Sequence, residues 1–207
     1  MKLSILTPAI WRRIDKARDL ARMVNHYADV AAFNEACGVY CVDKFADPLP
    51  PAELAMRRRL VMEEYNELMA AIKANDRVEI ADACADLAYV AIGWCWACED
   101  IYGTFDFGCK SNQKDAETCA EAIKKKIRLV MADPYEIGDV AVLFYHAIAL
   151  GEYYGFPMDD VWREVQRSNM AKVVNGKVNK RADGKIIKPP GWTPPDIRGI
   201  LERAGAL

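Results

Sequence analysis

An all-α chain is predicted: a bundle of antiparallel helices closed by an irregular C-terminal flap. Three observations predict it. Apolar residues return at helical spacing through most of the sequence. Proline, glycine and the polar break at Asn75-Asp76 punctuate those runs. One run, residues 135–155, is hydrophobic nearly all round, as a buried helix is.

From Pro8 to about Gly38, Ile10, Ile14, Ala17, Leu20, Val24 and Ala31 recur at helical spacing, with Pro8 suited to a first turn and Gly38 to a stop. His26 has no second His, Cys or acid at ligand spacing and is expected to be an ordinary surface or core histidine. Asp43 to Pro51 carries Pro48, Pro50 and Pro51 and is expected to cross as a loop. Two helical segments then flank a polar break at Lys73–Arg77. Their apolar faces are Val61, Tyr65, Leu68 and Ile72 on the first, and Ile80, Ala83, Leu87 and Val90 on the second.

Each segment also carries a stripe of acids. Glu63 and Glu64 lie four and three residues before Glu67, and Glu79, Asp82 and Asp86 stand at i, i+3 and i+7. Acids at helical spacing usually form a solvated face, where Lys and Arg relieve their repulsion. Here no basic residue falls within the turn after either trio, and both apolar faces are well formed. Like charges so concentrated destabilise a fold unless a cation neutralises them. Folded as an antiparallel hairpin, the stripes face each other as a cage of hard oxygen donors suited to Mg²⁺ or Mn²⁺. Tyr89 and Gly93 continue the face of Asp82 and Asp86, and with a nearby Trp they are expected to wall a flat pocket at one end of that cage. Cys95 and Cys98 have the gap of redox and zinc motifs, but a single pair on an apolar helix is expected to be core.

Thr104–Asp115 is expected to be a connector, followed by helices over about 116–132 and 134–154. The second of these should be buried in the core or at a subunit contact. Its Glu136 and Asp139 repeat the i, i+3 spacing but have no facing acids. Gly155-Phe156-Pro157 breaks the chain, and Asp159 and Asp160 suit the first turn of a further helix. Between Arg167 and Lys188 seven Lys or Arg face one acid, Asp183, among turn residues that predict a short hairpin or flap. Ile186, Ile187, Trp192 and Ile197 anchor it, and the prolines of PPGWTPPDI favour an extended segment. A basic flap over an acidic, metal-filled groove suits a polyphosphate substrate.

The 207 residues leave room for one core, and a net charge of −2 gives no global attraction to nucleic acid or to an anionic membrane. Seven cysteines without framework spacing, and no signal peptide, point to a reducing cytoplasm. No apolar run is expected to reach the roughly 20 residues that span a bilayer.

Glu63-Glu64-x-x-Glu67 followed by Glu79-Ile-Ala-Asp82-Ala-x-Ala-Asp86-Leu-x-Tyr89-Val resembles the all-α nucleoside triphosphate pyrophosphatases, the MazG-like and phosphoribosyl-ATP pyrophosphohydrolase-like proteins. Arg167-Ser168-Asn169-Met170-x-Lys172, Asp183-Gly184-Lys185 and Pro194-Pro195-Asp196-Ile197 are similar to the C-terminal signature of a single-domain branch with many phage and bacterial members. The resemblance treats 1–207 as one domain, with 28–103 and 155–201 as the matching core and 104–154 as an inserted helical pair. Ala83 stands where the family commonly has Glu, which leaves Glu79 and Asp82 to supply the missing oxygens.

The resemblance implies hydrolysis of a (d)NTP to the monophosphate and pyrophosphate with two or three Mg²⁺ or Mn²⁺ ions. The implied ligands are Glu64, Glu67, Glu79, Asp82 and Asp86, with Glu63 and Glu64 catalytic. Tyr89, Asn169, Lys172, Arg181 and Lys185 are the implied substrate contacts. A purine deoxynucleotide is expected, dGTP or GTP ahead of dATP, acting in the cytoplasm (the host's, for a phage chain) as a homodimer or homotetramer. Phosphoribosyl-ATP is the alternative substrate. A non-catalytic helical module for a basic partner or nucleic acid is the alternative class.

Overall fold

The computed structural model describes residues 8–42, 49–98, 114–134, 137–181 and 186–207, with side chains from residue 21 onward apart from Met23. Seven helices lie in these residues and no strand: α1 (Pro8–Ala36), α2 (Pro51–Ala74), α3 (Arg77–Ala97), α4 (Ala116–Ala132), α5 (Ile137–Tyr153), α6 (Met158–Met170) and α7 (Ile197–Arg203). The all-α expectation holds.

Local chemistry sets the boundaries. Pro51 opens α2 in its first turn, where a missing N–H costs nothing. Asn75 closes α2 in the left-handed region (φ 54°), its N–H reaching back to Ile72 O. One residue later the Asp76 carboxylate caps α3 by accepting from the N–H groups of Val78 and Glu79 at 3.1 and 3.2 Å. This two-residue link forces α2 and α3 into a hairpin. Asp115 and Asp196 cap α4 and α7 in the same way.

The core is organised around α3. Ile80, Leu87, Ile92 and Trp94 are among its fully buried residues, and α1, α2, α5, α6 and α7 all pack on it. Its 21 residues are long and apolar enough to cross a membrane by length and composition, which corrects the expectation that no run reaches that size. Here the other helices cover it, so burial inside the protein accounts for its hydropathy.

The pair α4 and α5 falls where the sequence predicts two helices, and α5 runs along α3 as a full member of the core. Val140, Leu143, Phe144, Ala147 and Leu150 are buried within the chain itself. Of the two placements expected for this helix, the core is the one seen within the chain, where α3 and α4 cover it. Gly151 permits this packing: a Cβ there would run into the Met158 side chain.

After α6 the chain turns through Asn175 and Gly176, both at positive φ, and Val174 pairs with Lys177. Asn-Gly with two positive φ values suits the tight hairpin turn that the sequence predicts. The flap is held down by Lys180 Nζ donating to Cys37 O at 2.6 Å and by Trp192 Nε1 donating to Ser168 O at 2.9 Å. His26 is a core histidine, 5 % exposed against Trp162 and Phe144, and burial pushes its pKa down to about 3.

Candidate active site

The α2–α3 hairpin brings the two acid stripes together. Glu64 and Asp82 turn inward far enough that Oε2 of the first and Oδ1 of the second are buried with no hydrogen-bond partner among the described residues. Asp86 is half-buried beside them, while Glu63, Glu67 and Glu79 stand on the exposed rim. Burial raises the pKa of Glu64 to about 7, and the charges of Glu67, Glu63 and Asp82 add to the shift. Burial likewise raises Asp82 to about 6, with Glu79 and Glu67 contributing. Asp86 is pushed well up by burial and by Asp82 and Glu64. Charges thus act across the hairpin: Asp82 on Glu64, Glu67 on Asp82, and Glu64 and Glu67 on Asp86.

Lys172 opposes this repulsion. Lys172, just beyond α6, lowers the pKa values of Glu64, Asp82 and Asp86, and its Nζ donates to Asn169 Oδ1 at 2.7 Å. Its own pKa falls through burial, with Asp86 acting against the shift. The amphipathic packing of α6 on α3 sets this juxtaposition: Val161, Trp162 and Val165 anchor the helix, and its C-terminal end then reaches the acids.

The donor set, hard carboxylate oxygens with two of them buried and unsatisfied, fits a divalent cation such as Mg²⁺ or Mn²⁺. Among the described residues no group of three or more acids, His or Cys has already closed to metal-holding geometry.

The expected substrate residues divide. Asn169 and Lys172 are at the acids. The Tyr89 ring is buried 5.4 Å from Trp162 of α6 and 6.0 Å from Phe33, and its hydroxyl donates to Gln166 Oε1 at 2.8 Å. Gly93 lies further along, facing Asn34, Val30 and Arg57. Arg181 is exposed on the flap, and Lys185, like Glu136, lies outside the described residues. Asp139 pairs with Lys126. Cys95 is buried and Cys98 partly so, with no disulfide at either.

Two features escaped the sequence reading. Lys188 stacks over Trp192 at 3.9 Å and its charge reaches Lys172, which links the flap to the site. Arg57 is buried at 4 % exposure. Its spacing to Val61 and Glu64 (i, i+4, i+7) was the available signal, since it places Arg57 on the inward face of α2.

Residues 43–98, which hold this hairpin, match the family model described as phosphoribosyl-ATP pyrophosphohydrolase. The chain is also similar to an uncharacterized protein of Acanthamoeba polyphaga mimivirus, 27% identical over 179 residues that cover 72% of this chain and 71% of the relative. No solved structure gives a significant match.

Proposed function

We propose, from the premise that the chain belongs through residues 43–98 to the MazG-like all-α NTP pyrophosphatases, that it is a metal-dependent nucleoside triphosphate pyrophosphohydrolase. Its substrate is a (d)NTP, of which a purine deoxynucleotide is favoured and dGTP or GTP stands ahead of dATP. The observation that carries this reading is the set of acids on the α2–α3 hairpin, Glu64 and Asp82 with buried and unpartnered oxygens, together with Lys172 from a distant part of the chain.

Glu64, Glu67, Glu79, Asp82 and Asp86 are the residues that would hold two or three Mg²⁺ or Mn²⁺. Bound there, the ions would neutralise phosphate charge and lower the pKa of water. Lys172 holds a phosphate oxygen as a point charge from the opposite side of the groove. Asn169, which already fixes Lys172, orients the nucleotide. Glu63, on the exposed rim, accepts the proton of the attacking water, with Glu64 beside it. The water oxygen bonds to the α-phosphorus, the bond from that phosphorus to the α–β bridging oxygen breaks, and pyrophosphate leaves. Trp192 ties the flap to Lys172, since its ring meets both that lysine and Lys188.

The family model's own description makes phosphoribosyl-ATP the second substrate to test. The enzyme is further proposed to be cytoplasmic and to work as a homodimer or homotetramer. The test is a panel of the eight common NTPs and dNTPs plus phosphoribosyl-ATP, assayed with Mg²⁺, Mn²⁺ or chelator. Monophosphate should form only with metal, and Glu64→Gln and Asp86→Asn should abolish it while the protein stays folded. Retained turnover in both variants would reject the assignment.

A further inference from the structure

Seven residues before Glu64, on the same inward face of α2, the Arg57 guanidinium is buried with two of its nitrogens unused. Among the described residues neither Nε nor Nη2 has a hydrogen-bond partner, and the same is true of Nδ2 of Asn34, which is 6 % exposed. Glu53 Oε2 approaches Nη2 only to 3.8 Å, too far for a hydrogen bond, and is itself unpartnered. Gly93 of α3 completes the cluster. A Cβ there would make ordinary contacts, 3.5 Å from Asn34 Nδ2 and 3.8 Å from Arg57 Nη1, so its absence leaves a gap between these donors. Glycine inside a helix is unfavourable relative to alanine, and buried donors without acceptors are costly. Both features are concentrated at one spot.

The spot is placed to meet one end of a nucleotide whose other end lies on the acids. Seven residues of helix rise separate Arg57 from Glu64 on α2, and Asp86 from Gly93 on α3, about 10 Å in each case. That is the scale of the distance from a base edge to its phosphates. Between the two ends lies Tyr89, three residues beyond Asp86 on α3, with its ring 6.0 Å from that of Phe33 of α1.

Resting on the nucleotide reading above, we propose that Arg57, with Asn34 beside it, is the base-reading element of this site and that it selects guanine. Nε and Nη2 form the parallel fork of a guanidinium, and such a fork matches two adjacent acceptors. Guanine presents O6 and N7 side by side as acceptors, whereas adenine places the N6 donor and cytosine the N4 donor there. Gly93 leaves room for one methyl group beside Nη1 and Asn34 Nδ2. The alternative, a purely structural Arg57–Glu53 pair, makes no distinction among bases.

The test uses the whole protein with Mg²⁺ and the product nucleotides, so it does not depend on turnover. Calorimetric titration of the wild type should show dGMP binding about tenfold or more tighter than dAMP and 7-deaza-dGMP, with dIMP close to dGMP. In Arg57→Gln the dGMP preference should collapse or pass to dAMP, because a glutamine amide matches N6 and N7 of adenine. Glu53→Gln should leave the ratio unchanged. Equal binding of dGMP and 7-deaza-dGMP to the wild type would overturn the proposal, even if Arg57→Gln does not fold. So would an unchanged dGMP-to-dAMP ratio in a folded Arg57→Gln. Cleavage of dNTPs without this base ratio would sink the guanine assignment alone; absence of any cleavage would sink the pyrophosphohydrolase reading alone.

Discussion

Replacing Glu64 by glutamine should stabilise the metal-free protein while destroying its activity, and the size of the gain should depend on pH. Glu64 is held at a pKa of about 7 against an ordinary 4.5, mainly by burial and then by the charges of Glu67, Glu63 and Asp82. The folded state therefore binds the proton more tightly than the unfolded state does. Stability is undiminished below pH 4.5, falls as pH rises through the interval to 7, and is fully reduced above it. At about 1.4 kcal/mol per pH unit, the penalty at pH 8 is on the order of 3 kcal/mol, shrinking to below about 1 kcal/mol at pH 5. Glutamine keeps the shape and removes the charge. For a chain of this size the variant should melt on the order of 5–10 °C above wild type at pH 8 in chelator, and within about 3 °C of it at pH 5. Added Mn²⁺ should raise the wild-type melting temperature at pH 8 and close the gap. Scanning calorimetry of both proteins at both pH values provides the measurement. A variant that melts lower than wild type at pH 8, or gains equally at both pH values, would refute the repulsion reasoning.

Three further outcomes follow from the packing. Asp76→Ala removes the carboxylate that caps α3 and should cost about 1 kcal/mol in urea unfolding, without altering the slope against denaturant. Gly151→Ala drives a methyl group into the buried Met158 side chain and should cost about 1–3 kcal/mol, with Met158→Ala in the same chain restoring part of it. Trp192→Ala deletes both the hydrogen bond to Ser168 O and the stacking surface under Lys188. Hydrogen exchange across residues 172–181 and 186–192 should quicken at least several-fold while α3 amides stay protected.

The sequence made most of this architecture legible because its helices end where local chemistry ends them. Pro51, Asn75, Asp76 and Asp115 act within a few residues of themselves, and the boundaries of α2, α3 and α4 follow. The acid stripes were equally readable, since helical spacing fixes which acids share a face. What spacing cannot supply is depth. Glu63 and Glu64 are neighbours in sequence, yet one is exposed and the other carries a buried oxygen, because only one of them turns toward the partner helix α3. Arg57 was missed for a related reason: two more arginines follow it, and a basic run suggests solvent until tertiary packing singles one out. For the run 140–150 hydropathy predicted burial but could not name the cover, which within the chain is α3 and α4.

The central claim, that the acids of the α2–α3 hairpin serve hydrolysis at an α-phosphorus, is tested most directly by following dGTP with the purified protein by ³¹P NMR in ¹⁸O-enriched water with Mg²⁺. The account expects dGMP and pyrophosphate in equal amounts, with the heavy oxygen on dGMP. Orthophosphate with dGDP, label in the pyrophosphate, or the same products in the presence of chelator would contradict it.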